Sequence, residues 1–594
     1  MFDRPASFLV TLEVAREENG EDIVFGWTGK ILKVDLTSGA AHREDIPEDI
    51  LLGSLGGRGL GVRLMRDFYG LDPFHPDMPL IFAVGPLCGT SSPTSARMSA
   101  VSRSPLTGTI YDSSCGGLFA HKLKAAGLDA LMITGKSDRP AYLKVTGEES
   151  SVDDASSLWG LDTLDTMTAL MEHGSVAAIG PAGENGVLFA NIMVNAANSV
   201  GRGGLGAVMG AKNLKAVVVD GGAKTLIADE EVFKKGREDV MRLFKASPII
   251  FGELGISEFG TPALVDLMKQ RRMTPTANFS KTYFEAASDY AGPALKRTYQ
   301  AKKEGCFGCP IRCKKVDSCG KALPEYESAS HFGALNNNSD IHSIVKSNEL
   351  CNALGMDTIS MASTIAAYGE AKGRFFAPDE IIELVKKTAL REGGGDDLAL
   401  GSARVCAVLG VPQLSMSVKG LELPAYDPRG AYGMALAYAT SNRGGCHLRA
   451  YPIANEILRK PVATDRFSFS GKARIIKIAE DTNAVADSLL TCKFAILAAS
   501  LEEYAHILTG VTGVEYSAQS LLKIGERIVK EERRFNCDNG FSAKDDMLPK
   551  RFFTEAGTSG DGIEIPPIDE SRFIEELKKY YKMRGLNANG CFEQ

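Results

Sequence analysis

Short apolar runs cut by glycine dominate the first third of the chain. Ile31–Leu36 (ILKVDL) ends in Thr-Ser-Gly and predicts a hairpin strand. Leu80–Val84, Ala130–Thr134, Ala177–Ile179 and Ala216–Val219 predict further short strands bounded by Gly, Pro or Asp. Residues 1–222 thus read as a mainly β domain. The period changes after Gly222. Val232, Phe233, Val240, Leu243 and Phe244 recur at helical spacing between Asp229 and Phe244. Further helices are predicted at 260–270, 343–354, 379–391 and 501–508. Ser517 reads as the N-cap of a long amphipathic helix carrying Leu521, Ile524, Ile528 and Val529, with a solvated Lys/Glu-rich outer face. The last two thirds are mostly helical, with a boundary near 420, ahead of LPAYDPRGAYG. The fold class is α+β: a β-rich base (1–222) and two mainly helical domains (223–420 and 421–594).

At roughly 100–200 residues per domain, the 594 residues allow about three domains, with volume for buried cofactors. Apolar content of 44% and charged content of 24% are those of an ordinary globular protein. A net charge of −7 without a basic domain argues against nucleic acid as a partner. Met1–Asp22 lacks the basic start and apolar core of a secretory signal. No stretch approaches the roughly 20 apolar residues of a membrane span, so a cytoplasmic protein is expected.

Twelve cysteines are present, and three of them crowd into GCFGCPIRCKK. Cys306, Cys309 and Cys313 stand at C-x2-C-x3-C, a spacing that presents three thiolates to one [4Fe–4S] cube. The fourth ligand must come from elsewhere, and Cys492 in DTNAVADSLLTCKF is the candidate. Zinc is the competing reading, with Cys319 as its fourth ligand.

Three other segments carry chemistry. GRGGLGAVMGAKNLKAVVV (201–219) is not a P-loop, because no G-K-[ST] follows, and no strand is predicted directly ahead of it, as a dinucleotide fingerprint requires. Its glycines would still let backbone approach a phosphate, with Arg202 pairing bidentately; the competing reading is a tight turn into a packed helix. DPRGAYGMALAYATSNRGGCHLRAY (427–451) places His447 after two glycines, where backbone can bend around a ligand. PEYES carries Glu325 and Glu327; such glutamates are usually solvated, but one held beside a metal centre would have its pKa raised by burial and serve as a general base.

Taken in order, SPLTGTIYDSSCGG with AGLDALMITGK, RGGLGAVMGAKNLKAVVV, CFGCPIRC, DPRG…RGGCHLR and DSLLTCKF make the chain resemble the aldehyde ferredoxin oxidoreductase family from about Gly26 to Cys537. The resemblance implies a double β-sheet base with two helical domains. It implies a tungsten or molybdenum bis-pyranopterin without a side-chain ligand to the metal, Mg2+ bridging the pterin phosphates, and one [4Fe–4S] cluster. Carried over by motif, Cys306, Cys309, Cys313 and Cys492 hold the cluster, while Arg97 and Arg202 meet the phosphates. The Ser114–Cys115–Gly116 turn, with serine where the family has Asn, faces the magnesium shell together with Gly203 and Gly204. Asp487 and Thr491 bind one pterin. On the other, the family's D-x-x-G-L-D reads Asn352-Ala-Leu-Gly355-Met356-Asp357, so Gly355, Met356 and Asp357 are the binding residues. Arg443 and Gly444 complete the cofactor set. Glu327 and His447 match the two side chains beside the metal. The E-x-x-H motif of an intersubunit iron has no counterpart, so that metal is not expected.

The implied reaction is aldehyde plus water to carboxylic acid, with electrons leaving through the cluster to ferredoxin or an iron–sulfur partner subunit, in a homo-oligomer or a hetero-complex. The rivals are a metallopterin subunit of a larger reductase and, from another class, a non-enzymatic iron–sulfur carrier.

Overall fold

The computed structural model describes residues 24–195, 197–558 and 562–593. The reading of Met1–Asp22 lies outside them. Two six-stranded mixed sheets build the N-terminal third. The first runs, in spatial order, Ala40–Asp45, Lys30–Asp35, Ala130–Thr134, Leu80–Ala83, Arg97–Arg103 and Ile110–Gly116. The second runs Asn198–Val200, Ile192–Val194, Ser175–Ala178, Leu214–Asp220, Ala141–Thr146 and Glu149–Asp154.

Period-two alternation glues the sheets together. Leu32, Val34, Leu80, Phe82, Met98 and Ala100 of the first share one core with Leu143, Val145, Ile192, Val194, Val217 and Val219 of the second. Their neighbours Ile31, Ile81, Ala83 and Val101 turn to a separate core on the opposite face.

Strand Asn198–Val200 corrects one expectation, because it runs directly into Gly201. Its polar residues carry no strand pattern; antiparallel pairing with Ile192–Val194 makes the strand. Gly201, Gly203 and Gly206 do then stand at G-x-G-x-x-G, running from the end of a strand into the helix Leu205–Ala211. A dinucleotide site needs a parallel βαβ unit. The following strand, Leu214–Asp220, is instead separated from Asn198–Val200 by two antiparallel neighbours.

Helices supply the rest. Asp229 caps Glu230–Ala246 and Ser517 caps Ala518–Asp538 through their side chains. Thr358–Ala371 and Tyr432–Thr440 are almost wholly buried, so neither shows the amphipathic pattern that sequence reading needs. Elements from both sides of residue 420 share cores: Phe233, Val240 and Ile250 pack with Ala484, Tyr504 and Leu521. Cys537 and Cys591 form a disulfide that ties the helix Ala518–Asp538 to the C-terminal segment, a pairing not expected from the sequence. Among the described residues, no helix is long and apolar enough to cross a membrane.

Candidate active site

The sheets and helices meet around a cavity of about 1350 Å³. That exceeds the roughly 300–1,000 Å³ typical of a site for one small molecule. Most of the expected site residues stand in its wall: Arg97, Ser114, Cys115, Gly116, Arg202, Met356, Asp357, Arg443 and Asp487, the pair Glu327 and His447, and all four cysteines 306, 309, 313 and 492.

The cysteine loop is pinched at its base by a two-stranded hairpin, Lys302–Glu304 against Lys314–Val316. Inside it, the Cys309 amide donates to the Cys306 carbonyl at 3.0 Å, which curls the thiols inward. Gly116 leaves room for them, since a Cβ there would lie 2.2 Å from the Cys306 sulfur. Cys492 arrives from the other end of the chain. Helix Lys472–Leu489 stops at Leu490 in a left-handed conformation, and Cys492 caps the next helix, Lys493–Ile496. The Cys492 amide donates to the Thr94 carbonyl at 3.2 Å.

Burial pushes the Cys309 thiol up to about 11, with a further push from Cys492; Cys313 and Cys492 shift the same way. Cys319, the fourth ligand of the zinc reading, is exposed and stands outside the cavity wall. Among the described residues, no three His, Cys, Asp or Glu gather tightly enough to hold a single metal ion. A cube, held at separate corners, has no such requirement.

Three guanidinium groups face the same space, that of Arg443 buried and those of Arg97 and Arg202 partly so. Arg97 donates to the Ser114 hydroxyl at 3.1 Å and to the Ser114 carbonyl at 3.0 Å, so Ser114 orients an arginine. Burial opposes the Arg97 charge, but Cys492, Cys306, Cys115 and Asp487 outweigh it and raise its pKa. Arg202 donates to Asp357 at 2.8 Å, while the other oxygen of Asp357 caps helix Thr358–Ala371 through Ile359 N–H at 2.9 Å. One carboxylate thus fixes both a helix and an arginine. Arg443 donates to the Asp112 carbonyl at 2.6 Å and to the Cys446 sulfur at 3.2 and 2.9 Å.

Glu327 and His447 face each other. Glu327 Oε1 lies 3.5 Å from His447 Nε2, and Oε2 accepts the Ala425 amide at 2.8 Å. Burial raises the Glu327 carboxyl to about 8, against the Ala425 hydrogen bond, which lowers it. Burial, with the charges of Arg202 and Arg443, holds the His447 imidazole well below its ordinary value, hence neutral. Tyr426 and Tyr451 pack on the His447 ring at 5.6 and 6.0 Å. Glu327 Oε1, His447 Nδ1 and Asn191 Oδ1 are buried and lack a hydrogen-bond partner among the described residues. Each such atom costs roughly 1–3 kcal/mol, so all three suit the polar groups of a bound ligand. Glu325 takes another course and pairs with Lys314 at 2.8 Å.

Gly203, Gly204, Gly355, Gly444 and Thr491 stand behind the wall rather than in it. Gly203 has φ +91°, and a Cβ there would meet the Tyr111 ring at 2.3 Å. Gly355 ends helix Ile341–Leu354 in the left-handed region. The carbonyls of Gly355 and Met356 accept from Asn191, which sequence reading missed.

A charge network was also missed. Asp112 pairs with Arg449, and Asp487 takes Arg449 at 3.2 Å, Lys493 at 2.8 Å and Arg58 at 3.3 Å. Within DPRG, the buried Asp427 and Arg429 pair with each other and lie outside the cavity wall, so that motif is structural.

Comparison with known proteins places this architecture. The family model for the aldehyde ferredoxin oxidoreductase N-terminal domain matches residues 31–221, and that for domains 2 and 3 of the same family matches 235–594. The tungsten-containing aldehyde ferredoxin oxidoreductases of Pyrococcus abyssi and Pyrococcus furiosus are 39% and 38% identical, covering 96% of this chain and 97% of theirs. The WOR-like subunit of an aliphatic sulfonate oxidoreductase from Pyrococcus furiosus is 26% identical, covering 96% of both chains. Among solved structures, the active site complex BamBC of benzoyl coenzyme A reductase superposes with a TM-score of 0.81 at 22% identity, over 96% of each chain, a likeness of fold.

Proposed function

The chain belongs to the aldehyde ferredoxin oxidoreductase family, and from that premise we propose that it oxidises an aldehyde with water to the carboxylic acid, two electrons and two protons, at a tungsten pterin centre. One observation carries the reading: the Glu327–His447 pair and four cysteines from two distant segments line a single cavity.

The donor set fits such a group, with guanidinium groups for phosphates and thiols for iron. Arg97, Arg202 and Arg443 would hold the pterin phosphates and their Mg2+, and Cys306, Cys309, Cys313 and Cys492 would hold one [4Fe–4S] cluster. When bound, the pterin centre supplies a Lewis acid and two-electron acceptor, and the cluster a one-electron exit. The chain's own residues handle position and protons. Glu327, with its carboxyl raised to about 8, takes the proton of the attacking water in its ionised form, whose share grows as pH rises toward 8. The neutral imidazole of His447 donates a hydrogen bond to the aldehyde oxygen as charge develops there. Tyr426 and Tyr451 hold that ring in place.

The electron acceptor in this reading is ferredoxin or an iron–sulfur partner subunit, in the cytoplasm, with the chain in a homo-oligomer or a hetero-complex. The test is metal analysis of anaerobically purified protein together with viologen-linked aldehyde oxidation. Tungsten, about four iron atoms per chain as one cube requires, and dye reduction uphold the proposal. Iron with neither tungsten nor molybdenum would identify an electron carrier, and zinc alone would remove both readings.

A further inference from the structure

The outer face of the cysteine loop has properties that holding a cluster does not require. Phe307 directly follows Cys306, yet 54% of its surface is exposed. It is nonetheless held in place. Its amide donates to the Gly117 carbonyl at 3.4 Å, and its ring packs on His121 at 4.7 Å between centroids. A rigid, solvated aromatic ring one residue from a cluster ligand suits contact with a partner.

Charge points the same way. Residues 301–321 hold six basic and two acidic residues in a chain of net charge −7. In the hairpin register Lys303 stands directly opposite Lys315, an arrangement that destabilises an antiparallel pair. Glu258, Glu325 and Glu349 offset Lys303, Lys314 and Lys321 at 2.8, 2.8 and 2.7 Å. Lys302 and Arg312, both exposed, have no carboxylate partner among the described residues; Arg312 donates only to the Lys303 carbonyl at 2.8 Å.

We propose that this face, centred on Phe307 and flanked by Lys302 and Arg312, is the docking surface for an acidic one-electron carrier protein. The proposal rests on the functional reading above and adds where the electron leaves. Electron transfer weakens steeply with distance, so a carrier gains most by docking where a cluster ligand comes closest to solvent. Unpaired cations there steer an acidic partner, and Phe307 supplies a desolvated contact once it arrives.

The double variant Lys302→Glu/Arg312→Glu tests this in the full-length, metal-loaded protein, with an acidic ferredoxin and with benzyl viologen as alternative acceptors. The KM for ferredoxin should rise about 10-fold at low ionic strength and converge on wild type in high salt, as surface steering does. Viologen-linked turnover should not fall. Phe307→Ala should raise the ferredoxin KM at both salt concentrations while iron content holds. An unmoved ferredoxin KM, or equal losses with both acceptors, overturns the proposal. Should viologen-linked oxidation be absent from the wild type, the functional reading falls. The surface is then judged by direct ferredoxin binding: weaker binding by the double variant at low salt upholds it, and equal binding overturns it.

Discussion

Replacing Glu327 by glutamine keeps shape and removes charge. The amide oxygen can still accept from the Ala425 N–H, now received by Oε2 at 2.8 Å, so the local backbone should hold. A positioned general base contributes about 10²–10⁴-fold; kcat should fall by that much while tungsten and iron contents stay at wild-type levels. The same residue leaves a signature in stability. Burial moves its carboxyl from 4.5 to about 8, and at about 1.36 kcal/mol per unit the upper bound is on the order of 5 kcal/mol. Because 16% of the side chain stays open, solvent in the cavity should reduce this to roughly 2–3 kcal/mol. The fold holds this proton more tightly than the unfolded chain does. The stabilisation is therefore fully present below pH 4.5 and lost as pH rises through about 8. Glutamine carries no such loss. Urea melts of cofactor-free protein at pH 5 and pH 9 should show wild type losing ground to the variant at the higher pH, by about 2–3 kcal/mol. In the loaded enzyme, the rising limb of kcat/KM against pH should lie well above the ordinary carboxylate range and vanish in the variant. Wild-type kcat in Glu327→Gln at equal metal content, or an unchanged pH limb, would refute the role.

Cys309→Ala should lose the broad visible absorption of an iron–sulfur cluster; iron at the wild-type level would mean the ligands are misassigned. Gly203→Ala must place a Cβ 2.3 Å from the Tyr111 ring at φ +91°, and strain with overpacking should cost about 2–5 kcal/mol, read as a lowered Tm; an unmoved Tm would contradict the packing described. Arg449→Met leaves the buried Asp112 and Asp487 short of a counter-charge and should destabilise by about 3–5 kcal/mol, measured by denaturant unfolding, with no loss expected only if the pair is not formed.

Local pattern was enough wherever one segment decides its own conformation. Ala130–Thr134 was read to the residue, and the Ser517 cap and the helices near 230–246, 341–354 and 378–390 were legible because caps and apolar spacing act within one window. Most of the residues that the cysteine spacing and the family motifs singled out likewise stand in the cavity wall. Strand Asn198–Val200 was not legible, because its partner makes it a strand. Helices Thr358–Ala371 and Tyr432–Thr440 were missed because burial on all sides erases amphipathic contrast. Ser114 on Arg97, Asn191 behind the Met356 turn and Asp112 between arginines needed segments far apart in the chain to meet. The same holds for the Cys537–Cys591 bond and for the approach of Cys492 to a loop near residue 309. Sequence alone determined which residue types were available and how each short stretch would fold. Tertiary structure decided which of them share a cavity, because only the packing of distant elements sets the burial and distances that raise the pKa of a carboxyl, or bring four thiols to one wall.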